Sequence, residues 1–156
     1  MIIEYLKELE SLNSQNLQNV FSNEPLSLND IVLLEQLYNN NNNFPKVLRE
    51  LLYIAGNNCS VVSLTDDSPF GYQLAVRDAI KNSDHTISRP FFAFDQIDID
   101  LFSAVFLDEG TEDPQVVHFN LNESESNFEF MMRSGVTLSK LINGRITDVK
   151  NGYNYY

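Results

Sequence analysis

The chain has few of the residues that disulfide-bonded and zinc-binding proteins depend on. Its 156 residues include one cysteine, two histidines and no tryptophan. The single cysteine, Cys59, excludes an internal disulfide, and a lone thiol is typical of proteins from a reducing compartment. Zinc sites need more Cys and His side chains than this chain offers. We therefore expect a cytoplasmic protein with no zinc site.

Basic residues are also scarce. Ten Lys and Arg stand against 22 Asp and Glu, which gives a formal net charge of -12. Such a charge repels phosphate backbones and anionic membrane surfaces. The start, Met1 to Glu4, has no cationic segment of the kind that precedes a signal sequence, and apolar runs such as Ile31 to Leu34 are too short to span a bilayer. We expect neither a nucleic-acid nor a membrane partner.

The motifs of common catalytic sites are missing. The sequence contains no G-x-S-x-G, no P-loop, no G-x-G-x-x-G and no H-E-x-x-H. His85 lies in a polar connector and His118 within a predicted strand, so a solvated loop residue and a hydrogen-bonded sheet residue are the simpler interpretations. An EF-hand loop read from Asp98 would place Phe102 and Ser103 at positions that require an oxygen ligand and glycine. We predict no enzyme, no cofactor and no metal site; an enzyme using the acidic residues is the least favoured alternative.

Apolar residues are plentiful and predict one folded domain over residues 1–156. They make up 43% of the chain, with 11 Phe and 7 Tyr. In the first half, apolar residues recur at helical intervals behind capping residues or proline. Gly56 is suited to a left-handed residue that ends a helix. The predicted helices are Ile2 to Leu12, Ser27 to Tyr38, Pro45 to Ala55 and Pro69 to Asn82, with the Asn39 to Asn43 run as a loop.

The second half of the chain is typical of strands. Its segments are rich in aromatic and β-branched residues and are separated by polar turns. A short helix from Thr137 to Asn143, ending at Gly144, closes the pattern. Helices followed by strands indicate an α+β fold, an antiparallel sheet with helices packed mainly on one face. The predicted strands are Phe91 to Phe94, Leu101 to Leu107, Val116 to Leu121 and, less distinctly, Phe128 to Met132.

Acidic residues are concentrated between Asp95 and Glu129, a stretch with ten carboxylates and no Lys or Arg. It is either a solvated face or a surface that attracts a basic partner. In a strand from Leu101 to Leu107, Phe102 and Phe106 point to the same face. There they are either covered by the fold or exposed as the centre of an interface with a charged rim. The candidate partner-binding residues are Asp95, Asp98, Asp100, Phe102, Phe106, Asp108, Glu109, Glu112 and Asp113.

The order of these features resembles the SUKH superfamily, a fold shared by many bacterial toxin-immunity proteins and by fungal cell-wall-synthesis regulators (Smi/Knr-like proteins). Three pieces carry the resemblance. The first is Ile31 to Glu35 with the proline-led helix Phe44 to Gly56. The second is Pro90 to Phe94, an acidic loop and the strands Phe102 to Leu107 and Gln115 to Phe119, and the third is the helix Thr137 to Ile142.

The resemblance implies an immunity protein that binds and neutralises a cognate toxin, commonly a nuclease. Nucleases that hold phosphates are basic, and an acidic inhibitor complements such a target. The alternative is an intracellular adaptor or regulatory scaffold of the same fold that binds a cellular protein, because one fold hosts several functions. The function expected from the sequence is therefore protein binding, with a basic toxin as the favoured partner.

Overall fold

Helices dominate the first half of the chain and strands the second, which confirms the α+β fold class. The structure, a computed structural model, describes residues 1–14, 22–63, 68–122 and 129–153. Within these ranges the elements are α1 (Lys7–Ser14), α2 (Leu28–Tyr38), α3 (Lys46–Ala55), α4 (Pro69–Asn82), β1 (Phe91–Asp98), β2 (Leu101–Phe106), β3 (Gln115–Asn120), β4 (Met131–Thr137) and α5 (Leu138–Lys150).

The four strands form one antiparallel sheet in the order β1-β2-β3-β4. Each strand pairs with its neighbour in the chain, which is the order of a β-meander. In one row of the sheet, Ala93 lies opposite Ala104, and Ala104 lies opposite Val117. The β1–β2 register shifts between Ala93 and Asp95, which bends β1 and directs Asp95 to the same face as its partner Ser103.

Four helices pack on one face of the sheet, here called the four-helix face, which carries Phe92, Val105 and Val116. The apolar stripes predicted for α2 and α3 point into this core, as do the apolar residues of α5. Burying a Leu or Ile side chain stabilises a fold by roughly 1.5–3 kcal/mol, so this layer supplies much of the driving force. Its helical members are Leu9, Leu12, Ile31, Leu34, Val47, Leu48, Leu51, Leu52, Ile54, Ala55, Leu138, Ile142 and Ile146.

Helix α4 covers the opposite face, here called the α4 face. Its residues Tyr72, Val76 and Ile80 pack on a set of strand aromatics with Phe119 at the centre. The ring of Phe119 lies 5.3 Å from that of Phe102 and 5.8 Å from that of Phe91, measured between centroids. The expectation of helices mainly on one face therefore holds for four of the five described helices, and the fifth closes the other face.

Helix α4 also occupies the open edge of β1. Its Gln73 is fully buried and exchanges two hydrogen bonds with the backbone of Ala93, donating to the carbonyl over 2.6 Å and accepting from the amide over 3.1 Å. Arg77 donates to the Phe91 carbonyl over 2.8 Å. An edge strand left unpaired is a template for aggregation, so these side chains protect it.

Several predicted boundaries differ from the structure. Gly56 has a φ of -72°, so it is not left-handed; a Cβ there would meet the Leu26 side chain at 2.7 Å, which gives a steric reason for glycine. Helix α5 continues past Gly144 to Lys150 because Arg145 and Ile146 are buried on its inner side. Ile2 lies outside α1 and is 78% exposed. Phe128, the start of the fourth predicted strand, lies outside the described residues.

Candidate protein-binding surface

The turn between β1 and β2 presents two exposed isoleucines beside carboxylates. We call residues Ile97, Asp98, Ile99 and Asp100 the hairpin knuckle. Ile99 is 84% exposed and Ile97 is 45% exposed. The Asp98 side chain is exposed and accepts a hydrogen bond from the Ile99 amide over 2.7 Å, and Asp100 is partly exposed. The knuckle thus combines an apolar centre with acidic neighbours at the outermost point of the hairpin.

Local turn chemistry does not account for an isoleucine at this position. Asp98 pairs with Leu101, so Ile99 and Asp100 form a two-residue loop. Loops of this length favour Asn or Gly, which adopt positive φ without strain. The described non-glycine residues with positive φ are Asn40, Asn41 and Asp84, so both loop residues have negative φ. An almost fully exposed Ile99 neither sets the turn geometry nor contributes to the core.

The same end of the sheet carries further exposed residues on β4. The Leu121 amide donates to the Asp100 carbonyl over 2.8 Å, and the Asn120 amide donates to the Phe130 carbonyl over 2.9 Å. These bonds connect the knuckle through β3 to the start of β4. There Glu129 is exposed and Met131 is 42% exposed. An apolar and acidic surface therefore extends from the knuckle across this end of the sheet.

The other predicted acidic residues do not belong to this surface. Asp108, Glu109, Glu112 and Asp113 lie in the β2–β3 connection, at the opposite end of β2. At about 3.3 Å per strand residue, Asp100 and Asp108 are roughly 25 Å apart. That is about three Debye lengths at physiological ionic strength, so the two groups act separately on a charged partner. The continuous acidic stretch in the sequence is divided in space.

Two carboxylates at that opposite end are neutralised by arginines from elsewhere in the chain. Arg89 donates to both carboxylate oxygens of Asp108, over 2.5 Å from Nη2 to Oδ1 and 3.0 Å from Nε to Oδ2, and this hydrogen-bonded pairing lowers the pKa of Asp108. Arg133 donates to Glu109 over 3.0 Å. The expectation that this acidic stretch lacks compensating charge is therefore wrong for these two residues.

Glu112 and Asp113 serve as helix caps. Pro45 and Thr137, the N-cap residues of α3 and α5, make no side-chain capping hydrogen bond. Instead, Glu112 accepts from the Lys46 amide over 3.1 Å. Asp113 accepts from the Ser139 amide over 3.0 Å and from its hydroxyl over 2.6 Å. A carboxylate at a helix N-terminus satisfies free amides and interacts favourably with the helix dipole, so these acids have a structural role.

Three predicted partner-binding residues are buried, which corrects their assignment. Phe102 and Phe106 are 3% and 2% exposed under α4 on the α4 face, so the alternative of exposed aromatics is wrong. Asp95 is completely buried. It accepts from Arg145 Nη2 over 2.7 Å and from the Ser63 amide over 2.8 Å. Sequence reasoning missed this because the arginine lies fifty positions further along the chain.

A polar group around Asp95 contains Ser103 and His118, but its geometry does not match that of an accessible nucleophile and base. His118 Nδ1 lies 3.1 Å from Ser103 Oγ, and Ser103 is completely buried. Burial, followed by the charge of Arg145, lowers the pKa of His118 and favours its neutral form. Nearby, burial raises the pKa of the Cys59 thiol to about 11, which keeps the thiol protonated and unreactive.

Among the described residues, no group of three or more His, Cys, Asp or Glu side chains is placed to hold a metal ion. In the same part of the chain, no helix combines the length and apolar character that crossing a bilayer requires. Comparison of the sequence and structure with protein-family models, with curated proteins and with solved structures found no match.

Proposed function

We propose that this protein is a cytoplasmic immunity protein with a SUKH-like fold, which binds and neutralises a basic toxin through the hairpin knuckle. The toxin is most simply a nuclease. The observation that carries the proposal is the exposure of Ile97 and Ile99 beside Asp98 and Asp100. An apolar anchor bordered by charge is the arrangement found at the centre and rim of protein interfaces.

The isoleucines supply the energy of binding. Burying an isoleucine side chain that is exposed in the free protein contributes roughly 1.5–3 kcal/mol. Ile99 stands at the tip of a hairpin, so it can enter a concave site on a partner without rearrangement of the sheet. The adjacent strand pairing fixes the backbone on both sides and reduces the entropy lost on binding.

The carboxylates increase the rate of association and the selectivity for a basic partner. In the described part of the chain, five of the six basic residues found in ion pairs bind acids outside the knuckle and away from Asp95: Lys46, Arg49, Arg89, Arg133 and Lys150 pair with Glu4, Glu35, Asp108, Glu109 and Glu8. No ion pair involves Asp98 or Asp100 among these residues. With a net charge of -12, the protein attracts a basic partner and repels an acidic one.

A toxin is favoured over a cellular partner by two features taken together. The resemblance to SUKH immunity proteins covers most of the chain, from about residue 28 to about residue 144. An enzyme that binds phosphates presents a basic cleft, which complements an acidic projection with an apolar tip. An adaptor of the same fold would use the same surface on a different protein, so the partner itself has to be identified.

The direct test is co-expression. Each protein encoded beside the gene is expressed with and without the immunity candidate, and growth is scored. We expect one neighbour to arrest growth alone and to be harmless with the candidate present. Failure of every neighbour to arrest growth or to bind would contradict the toxin assignment, and capture of a non-toxic cellular protein would favour an adaptor.

The surface is tested with charge-neutral variants. Asp98→Asn and Asp100→Asn together keep one acceptor oxygen on each side chain and remove two charges. We expect slower association and a weaker dependence of the association rate on salt. Ile99→Ser should instead speed dissociation by about tenfold or more, since it removes a buried anchor. The matched control is Asp108→Asn with Glu109→Gln, which removes two charges at the other end of β2. If the control slowed association as much as the knuckle variant does, the interface would not lie at the knuckle.

A further inference from the structure

Helix α2 has an exposed apolar side in addition to its buried one. Ile31 and Leu34 point into the core, whereas Leu28, Val32, Leu33 and Leu37 are between 42% and 57% exposed. These four make up a third of the twelve large apolar residues that are exposed in the described part of the chain. We call the exposed side of α2 the outer face. It lies on a different element from the hairpin knuckle.

The outer face has a symmetric order of residue types. Its six exposed positions are Leu28, Asn29, Val32, Leu33, Gln36 and Leu37. Each position has an equivalent of the same character at equal distance from the midpoint between Val32 and Leu33. Leu28 corresponds to Leu37, Asn29 to Gln36 and Val32 to Leu33. A sequence with this order is complementary to itself when a second helix runs antiparallel to it.

We propose that the outer face is the interface of a homodimer, in which α2 packs against α2 of a second copy about a two-fold axis between Val32 and Leu33. Leu28 then contacts Leu37 of the other copy, and Asn29 lies beside Gln36, where the two amides form hydrogen bonds. Residues 28 and 32, like 33 and 37, are four positions apart and form ridges along the helix. Such ridges interdigitate in the commonest class of helix packing.

Charge favours a second copy over other occupants. The two acids of α2 are engaged within the protein: Asp30 accepts from the Ser27 hydroxyl over 2.6 Å, and the buried Glu35 accepts from the Phe44 amide over 2.7 Å. The helix contains no Lys or Arg, whereas helices that lie on membranes carry them beside the apolar face. An uncharged face is also where two copies of net charge -12 approach with least repulsion.

The ends of the interface have room for the partner. A cleft of about 500 Å³ lies beside Leu28 and is lined by Pro25, Leu26 and Tyr53. In the antiparallel arrangement it receives Leu37 of the second copy. Helix α2 has eleven residues, so the contact is smaller than the roughly 800 Å² per partner of a standard interface. We therefore expect a weak dimer, with a dissociation constant on the order of 10 to 100 µM.

The first test is sedimentation equilibrium of the full chain over protein concentrations from about 1 µM to 1 mM. The average mass should rise from that of the 17.9 kDa monomer towards twice that value. Leu33→Glu places like charges at the two-fold axis and should weaken association at least about a hundredfold. Leu74→Glu on α4 is the matched control, because Leu74 is 60% exposed, and should leave association unchanged.

The second test reports the antiparallel geometry. Leu28→Cys and Leu37→Cys variants are each prepared with Cys59→Ala. Mixed and oxidised, they should form a disulfide-linked heterodimer, whereas each alone should cross-link much more slowly, because equivalent residues lie about 13 Å apart along the helix axis. A wild type that remains monomeric at every concentration, or a dimer that Leu33→Glu does not affect, would overturn the proposal. Because Leu33→Glu leaves the knuckle intact, it should still neutralise the toxin, so the two proposals fail independently.

Discussion

Arg145 of α5 and Asp95 of β1 form an ion pair in the interior of the protein, with 2.7 Å between Nη2 and Oδ2. The carboxylate is completely buried, and its second oxygen accepts from the Ser63 amide. Arg145 also donates to the Val61 carbonyl over 2.9 Å. These bonds connect α5, the sheet and the 61–63 segment at one point. A residue that the sequence suggested as a surface contact is therefore part of the fold.

Removing the Asp95 charge should destabilise the protein strongly. Asp95→Asn leaves Arg145 buried without its counter-charge, and loss of one partner of a buried pair costs about 3–5 kcal/mol. Asp108→Asn, which breaks the exposed pair with Arg89, should cost less than about 1 kcal/mol. Urea unfolding followed by circular dichroism measures both values. Equal losses for the two variants would show that burial does not govern the strength of these pairs.

Glu50 should be as important for the stability of the N-terminal segment as Asp95 is for that of the interior. Its carboxylate is fully buried and accepts hydrogen bonds from the amides of Glu4, Tyr5 and Leu6 over 2.8, 2.9 and 3.0 Å. Glu50→Gln removes the charge and one acceptor oxygen, and we expect a loss of about 2–3 kcal/mol. Faster amide hydrogen exchange in residues 4–6 should accompany it. Glu10→Gln, an exposed change in α1, is the control and should alter neither quantity.

Phe102 and Ile99 are three positions apart, but replacing them with alanine should change the stability of the protein by very different amounts. Phe102→Ala removes a buried ring from the α4 face and should reduce the unfolding free energy by about 3–5 kcal/mol. Ile99→Ala should change it by no more than about 0.5 kcal/mol, because the side chain is almost fully exposed. Thermal and urea unfolding of both variants provide the comparison. A large loss of stability in Ile99→Ala would contradict its role as a surface anchor.

His118 should make stability depend on pH. Burial and Arg145 lower its pKa from the ordinary value of 6.5, so the unfolded chain binds a proton at a higher pH than the folded protein does. Its contribution is complete above pH 6.5 and is lost as the pH falls below that value towards the folded pKa. Between about pH 6.5 and 5, above the usual range for carboxylates, His118→Gln should show a smaller decline in unfolding free energy than the wild type.

Direct titration of His118 by NMR provides the accompanying measurement. The imidazole resonances should titrate below pH 6.5 in the folded protein. Identical pH profiles for the wild type and His118→Gln, or a titration above the ordinary value, would contradict the assignment of burial as the cause.

Sequence periodicity predicted α2, α3 and α4 well because their signals are local. Ser27 accepts from the Asp30 amide and Ser68 from the Gly71 amide, each over three positions. The apolar stripe that follows Pro45 is also a local signal, because its residues recur at helical intervals. The ends of α1 and α5 were less predictable. Distant contacts set them: Glu50 binds the residues before α1, and buried Arg145 extends α5 beyond Gly144.

The candidate site was predicted only in part. Composition and the order of residues determined an acidic α+β protein with Asp98 and Asp100 in a turn between two strands. Tertiary structure decided which carboxylates remain available to a partner, because the arginines at positions 89, 133 and 145 form ion pairs with Asp108, Glu109 and Asp95. It also decided that α4 covers Phe102 while Ile99 stays exposed. Local patterns follow from bonds within a few residues, whereas charge pairing and burial depend on which distant segments the fold brings together.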